Sequence, residues 1–160
     1  SINRKISSLK TFYKFLLKTN QISETPLAKH KALKTAKKIQ IPFSETEVED
    51  VLELLKNVND FEGVRNKLMV ELFYSTGMRR AELIGLRLSD VSEIQKTIKV
   101  LGKRNKERII PLLPSVLKTL EHYQRFRSAL PELRAPETLL LTSKGNPIYE
   151  TLVYRATTRY

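Results

Sequence analysis

Arg79 and Lys103 are the two residues whose types and surroundings best suit chemistry on a phosphate. Arg79 lies in Thr76-Gly77-Met78-Arg79-Arg80-Ala81-Glu82-Leu83, where one helix breaks and another begins. Backbone N–H groups point outward at such a start, and a planar guanidinium beside them can hold an oxyanion or phosphate. Lys103 lies in Leu101-Gly102-Lys103-Arg104-Asn105-Lys106-Glu107-Arg108-Ile109-Ile110-Pro111-Leu112. At the tip of a predicted hairpin it has a flexible arm that can reach into a groove. Each residue also has an ordinary reading. Arg79 suits a surface ion pair with Glu82 at i, i+3, worth roughly 0.3 kcal/mol. Lys103 suits a solvated turn. Short motifs have low specificity one at a time, so the two stretches carry weight only together.

Positioning these side chains falls to short helices and a hairpin. Ser44 with Glu47 three residues on forms a capping box, predicting a helix to about Lys56 through Val48, Val51, Leu52, Leu54 and Leu55. Asn59-Asp60 caps a second, carrying Val64, Leu68, Met69, Leu72 and Phe73 to Thr76. Gly77 suits a left-handed cap, and a short helix resumes at about Arg79 and reaches Leu86. Ile94, Ile98 and Val100 alternate with polar residues, and Arg108-Ile109-Ile110 follows the basic turn as the second arm of the hairpin. Pro114 opens a helix to about Phe126. Thr138 to Leu141 reads as a short third strand, Lys144 to Pro147 as a turn, and a final helix starts near Tyr149. The expected class is mainly α with a small antiparallel β-sheet, an α+β fold.

Before this unit come two basic segments. Residues 1 to about 20 read as an amphipathic helix with the stripe Ile2, Ile6, Leu9, Tyr13, Leu16 and Leu17, and with Lys10, Lys14 and Lys18 stacked opposite. From Gln21 to Phe43 the periodicity fades between Pro26 and Pro42, as in a basic linker. Residues 1–43 hold ten basic side chains and one acid, Glu24, which is +9 of the formal net charge of +12 over 160 residues. Such a concentration is the footprint of a nucleic-acid binder, although a solvated basic face has the same composition. Arg4, Lys10, Lys14, Lys34, Lys37, Lys38, Arg80, Arg104, Lys106 and Lys144 are the expected phosphate contacts.

Composition also excludes. There is no Cys, hence no disulfide, thiolate zinc site or cysteine nucleophile, and the two histidines, His30 and His122, lie far apart. His30 among lysines reads as a solvated residue. No apolar run approaches the roughly 18 residues of a membrane span, and the first residues lack the pattern of a signal peptide. The expectation is a soluble, cytoplasmic protein with a polyanionic partner, no metal and no cofactor.

Together the two stretches resemble the tyrosine recombinase (phage integrase) family, most closely its Xer-like branch. There, T-G-[LM]-R-x-x-E-L carries a catalytic arginine and G-K-x-x-K-x-R-x-[IV]-P-L carries the hairpin lysine, at a spacing similar to that of Arg79 and Lys103. The resemblance covers the chain in order. It implies three parts: residues 1–22 as the C-terminal helix of a core-binding domain, 23–43 as a basic interdomain linker, and 44–160 as the N-terminal part of a catalytic domain. It also implies a reaction in which a tyrosine attacks a DNA phosphodiester, leaving a 3′-phosphotyrosine and a free 5′-hydroxyl. Arg79 would stabilise the charge on the phosphate, Lys103 would protonate the leaving oxygen, and Glu82 would support the arginine structurally. The partners implied are double-stranded DNA and further recombinase subunits, as a tetramer on DNA.

The family's H-x-x-R, its later His or Trp and its nucleophilic tyrosine lie further past the hairpin than residue 160. His122-Tyr123-Gln124-Arg125 spells H-x-x-R too early, and Tyr154 and Tyr160 are too early for the nucleophile. The 160 residues alone are therefore expected to be inactive in cleavage. The rival reading is a non-catalytic DNA-binding module, such as a repressor or an excision accessory, which gives no reason for the arginine and hairpin lysine. An RNA-binding protein would want exposed aromatics on its sheet, and the predicted strands offer Ile and Val.

Overall fold

The computed structural model describes residues 2–34, 44–55 and 57–158. The chain divides into two units, Ser1–Pro42 and Phe43–Tyr160.

In the first unit, α1 (Ile2–Lys18) buries no residue fully. Residues 21–34 turn back along it without regular structure. The Asn3 side-chain amide donates to the Leu33 carbonyl at 2.9 Å and accepts from the Leu33 N–H at 3.0 Å. Lys10 Nζ donates to the His30 carbonyl at 2.8 Å. The half-buried face of α1 holds Asn3, Ile6, Lys10, Tyr13, Leu16 and Leu17, whereas Ile2 and Leu9 are exposed. Lys10 thus departs from the expected basic column with Lys14 and Lys18. Its apolar stem lies between Ile6 and Tyr13 along the covered face, and its ammonium satisfies a carbonyl at the end of it.

The second unit begins at α2 (Glu45–Leu54). The expected capping box is present: Ser44 N–H donates to Glu47 Oε2 at 2.7 Å, and Glu47 N–H donates to Ser44 Oγ at 3.3 Å. Asp60 caps α3 (Phe61–Thr76) by accepting from the Gly63 N–H at 2.6 Å. α3 is the central helix, burying Val64, Leu68, Met69 and Leu72 together with the polar Arg65, Asn66 and Glu71. It packs mainly against α5 (Pro114–Ser128), and also meets α6 (Glu150–Thr158). Leu83, Ile98, Val100, Val116, Leu120, Tyr123, Leu139, Leu140, Ile148 and Val153 are among the other residues of the core.

α3 ends at Gly77, with φ 59 and ψ 24, and the Gly77 N–H bonds to the Phe73 carbonyl. The left-handed residue lets the chain reverse into α4 (Arg80–Ile84), for which Arg79 is the N-cap. A Cβ added at Gly77 would meet nothing within 4 Å, so Gly77→Ala isolates backbone strain from steric overlap. Thermal unfolding should register a loss of about 1 kcal/mol. Gly85→Ala, at φ −81, should cost less.

The sheet is a three-stranded antiparallel meander of β1 (Val91–Ser92), β2 (Thr97–Leu101) and β3 (Glu107–Pro111), in that order. Val91 pairs with Ile98, and Ile98 with Ile110. Two expectations are corrected. Ile94 belongs to no strand: it is 97% exposed in the turn between β1 and β2. Thr138 to Leu141 is not a strand either, and makes only isolated bridges, Arg87 to Thr138 and Leu141 to Pro147. Scattered main-chain bonds and three side chains hold its backbone instead. Arg127 Nη2 donates to the Pro136 and Thr138 carbonyls at 2.7 and 2.9 Å, Arg65 Nη1 donates to the Leu141 carbonyl at 3.4 Å, and the Leu141 N–H donates to Tyr123 Oη at 2.9 Å. Among the described residues no helix is long and apolar enough to cross a membrane.

Candidate active site

Arg79 occupies the N-cap of α4 with φ −77 and ψ 154. A helix start leaves N–H groups without intrahelical partners, and here Glu82 answers one of them. The Arg79 N–H donates to Glu82 Oε2 at 2.8 Å, and Arg79 Nη1 donates to Glu82 Oε1 at 2.9 Å. The Arg79 side chain is nevertheless 61% exposed, whereas that of Glu82 is 6% exposed. One guanidinium donor is thus committed inward, and the rest of the fork remains for a ligand.

Glu82 has a second cation. From β3, Arg108 donates Nη1 to Oε1 at 3.2 Å and Nη2 to Oε2 at 2.8 Å. Four N–H groups therefore converge on two carboxylate oxygens, about the full lone-pair capacity of the group. The Arg108 hydrogen bonds, followed by those from Arg79, hold the Glu82 carboxyl at about 2, down from 4.5, and Glu82 in turn raises Arg108. Two guanidiniums around one carboxylate leave a net positive cluster.

This carboxylate has a defined acid sensitivity. Its folded value is depressed, so the stability it contributes is full above pH 4.5 and is lost as the pH falls from there through about 2. In urea unfolding, the stability gap between the parent protein and Glu82→Gln should be widest above pH 4.5 and close as the pH approaches 2. A gap independent of pH would show that ionised Glu82 contributes nothing.

The hairpin rises from the same place. Gly102 N–H donates to the Lys106 carbonyl at 2.7 Å, closing a turn over Lys103–Asn105. Arg104 and Asn105 both have left-handed backbones, at φ 60 and 58, the pattern of a tight hairpin turn that follows strand twist. A Cβ at Gly102 would lie 3.2 Å from the Lys106 carbonyl oxygen, 3.4 Å from Arg108 Nη1 and 3.5 Å from Glu82 Oε1. A side chain at the neck of the hairpin would therefore reach the Glu82 carboxylate and the Arg108 guanidinium, which places the neck beside both. Lys103, Arg104 and Lys106 are exposed in and beside this turn. Arg108, which the sequence showed only as one letter of the hairpin pattern, is the residue that joins the two motifs.

The remaining candidates are scattered. Arg80 is exposed and paired with Glu150 at the start of α6, at 3.0 Å. Lys144 is exposed in the turn before Gly145. In the first unit Arg4, Lys14 and Lys34 are exposed, and Lys10 is engaged with His30. Lys37 and Lys38 lie outside the described residues, as does Tyr160. His30 is half-buried rather than solvated. In the early H-x-x-R, Tyr123 is fully buried, His122 is half-buried against Phe126, and Arg125 pairs with Glu121, so these residues form no common site. Tyr154 is 59% exposed and lines an open groove of about 670 Å³ with Val51, Leu54, Phe73 and Tyr74. Among the described residues no group of His, Asp and Glu side chains could hold a metal ion.

The model of the phage integrase family matches residues 43–160. The chain belongs to that family. Relatives extend the likeness to both units. A tyrosine recombinase XerC of Chlorobaculum parvum is 33% identical over 180 residues, covering 100% of this chain and 54% of the relative. A tyrosine recombinase XerD of Shewanella oneidensis is 38% identical over 120 residues, covering 75% of this chain and 40% of the relative. The chain thus spans about half the length of the curated relatives it matches. The Tn1549 transposon integrase, solved in complex with transposon right end DNA, aligns with TM-score 0.77 at 19% identity, over 99% of this chain and 58% of that one. That likeness bears on the fold, which is mostly helical with a small antiparallel sheet, as expected.

Proposed function

We propose that this chain is part of a tyrosine-type site-specific DNA recombinase, acting in the cytoplasm on double-stranded DNA together with other recombinase subunits. Residues 1–22 are its core-binding helix, 23–43 the linker and 44–160 the first part of the catalytic domain. The observation that carries the reading is the Glu82 carboxylate, which binds Arg79 directly and binds the neck of the Lys103 hairpin through Arg108. Two motifs 24 residues apart thereby meet at one group.

The chemistry follows from the side chains. In-line attack on a phosphodiester builds charge on the non-bridging oxygens, and a permanently charged, planar donor fork stabilises it. Arg79 is that fork, oriented by Glu82. The leaving 5′-oxygen needs a proton, and Lys103 supplies it as general acid from the hairpin tip. The nucleophile is a tyrosine outside these 160 residues, so the chain alone makes no covalent adduct. No cofactor is needed, because the phosphotyrosine conserves the bond.

Arg4, Lys14, Lys34, Lys37, Lys38, Arg80, Arg104, Lys106 and Lys144 contact phosphates, and Lys10 does so only on giving up the His30 carbonyl. Binding to a duplex should then weaken linearly on a log–log plot against salt, with a slope of about −0.9 per neutralised phosphate. Lys14→Ala and Lys106→Ala should each flatten that slope by about one and weaken unrelated sequences equally. Fluorescence anisotropy across a salt series measures both. A chain that binds no duplex at low salt would remove the reading.

A further inference from the structure

We infer that Arg108 is a positioning residue for strand cleavage, which clamps Glu82 from the sheet side and so sets Arg79 and the Lys103 hairpin in register with each other. The inference rests on the recombinase reading above. Arg108 sits on β3 opposite Val100, two residues beyond Lys106, where the turn closes. Its guanidinium meets Glu82 as a two-pronged fork at 3.2 and 2.8 Å. Such parallel bonds fix orientation as well as distance, which a single ammonium cannot do.

The placement of the carboxylate distinguishes this pair from an ordinary surface ion pair. A pair between two exposed groups is worth little and holds nothing in place. Here the carboxylate is buried, and all four contacts to it come from the two motifs, two from Arg79 and two from Arg108. Losing Arg108 would leave two buried lone pairs without protein donors. Glu82 would then be free to turn toward water, and Arg79 would turn with it. The neck of the hairpin at Gly102, close to both Arg108 and Glu82, would lose what holds it against α4. Arg108 thus acts on the scissile phosphate only through Arg79 and through the hairpin that bears Lys103.

The test is single-turnover cleavage by the full-length recombinase carrying this sequence, with duplex affinity measured in parallel. Arg108→Ala should slow cleavage by about 100-fold, the scale of a misplacement of roughly 1 Å, with affinity for uncleaved duplex unchanged. Arg108→Lys keeps the charge without the fork and should recover only part of the rate. Arg108→Gln replaces Arg108→Ala if the alanine variant does not fold. Because Arg108 acts partly through Arg79, the double variant Arg79→Ala/Arg108→Ala should lose much less than the product of the two single losses. Full recovery by Arg108→Lys would reduce the role to charge and overturn the inference, as would losses that multiply, or an Arg108→Ala enzyme cleaving at the parent rate. If the parent protein itself forms no covalent adduct with duplex, the recombinase reading falls instead, so the two failures are distinguishable.

Discussion

Arg79→Ala in the recombinase proposed above should slow formation of the covalent protein–DNA adduct by at least about 100- to 1,000-fold, or roughly 3 kcal/mol of barrier. This is the scale of removing a preorganised donor from a developing oxyanion. The variant should still fold, because the bond that caps α4 comes from the Arg79 main chain to Glu82 and survives the substitution. It should also bind duplex nearly as well as the parent, since the other proposed phosphate contacts remain. Arg79→Lys should recover little, because a lysine carries the charge without the planar pair of donors. Single-turnover adduct formation on a gel, beside a duplex titration, separates rate from binding. An unchanged rate would assign the arginine to the fold alone.

Lys103→Ala should be nearly as damaging on an ordinary substrate, slowing cleavage by about 100- to 10,000-fold as the loss of a general acid does. On a substrate whose bridging 5′-oxygen is replaced by sulfur, most of that loss should disappear. A thiolate leaves without a proton, so the substitution bypasses the step assigned to the lysine. The folded state should tolerate the change, because Lys103 is exposed at the hairpin tip. If the variant were equally slow on both substrates, Lys103 would orient the phosphate rather than donate to the leaving group.

What the sequence made legible was local. Ser44 with Glu47, Asp60 and Gly77 act within one turn of themselves, and each caps its helix as its type predicts. The pairing of Ile98 and Val100 with the arm after the basic turn also followed from alternation. Alternation failed at Ile94, because the chain had already entered a turn in which Lys96 has a left-handed φ of 54. Val91–Ser92 is too short for any period to show. Arg79 and Glu82 read as a weak i, i+3 pair because spacing reports neighbours on one helix. It does not report a fork arriving from a strand 26 residues later. Burial of Glu82 and the approach of Arg108 are tertiary facts, and they turn that pair into the link between the motifs.

Leu139, Leu140 and Leu141 are three consecutive leucines that are all fully buried. Left exposed and unpaired, a run of this kind would be a ready template for adding strands from other chains. Its main-chain groups are already claimed by unlike partners. The Leu139 N–H bonds to the Leu86 carbonyl, the Leu140 carbonyl accepts from Ile148, and Leu141 is held by Tyr123 and Arg65. Because two of these locks are side chains, substitutions far away in sequence, such as Arg65→Leu or Tyr123→Phe, would leave the core greasy enough to collapse yet expose a sticky segment while it does so. Their damage would then appear as insoluble protein during expression, well before any loss of the proposed activity could be measured.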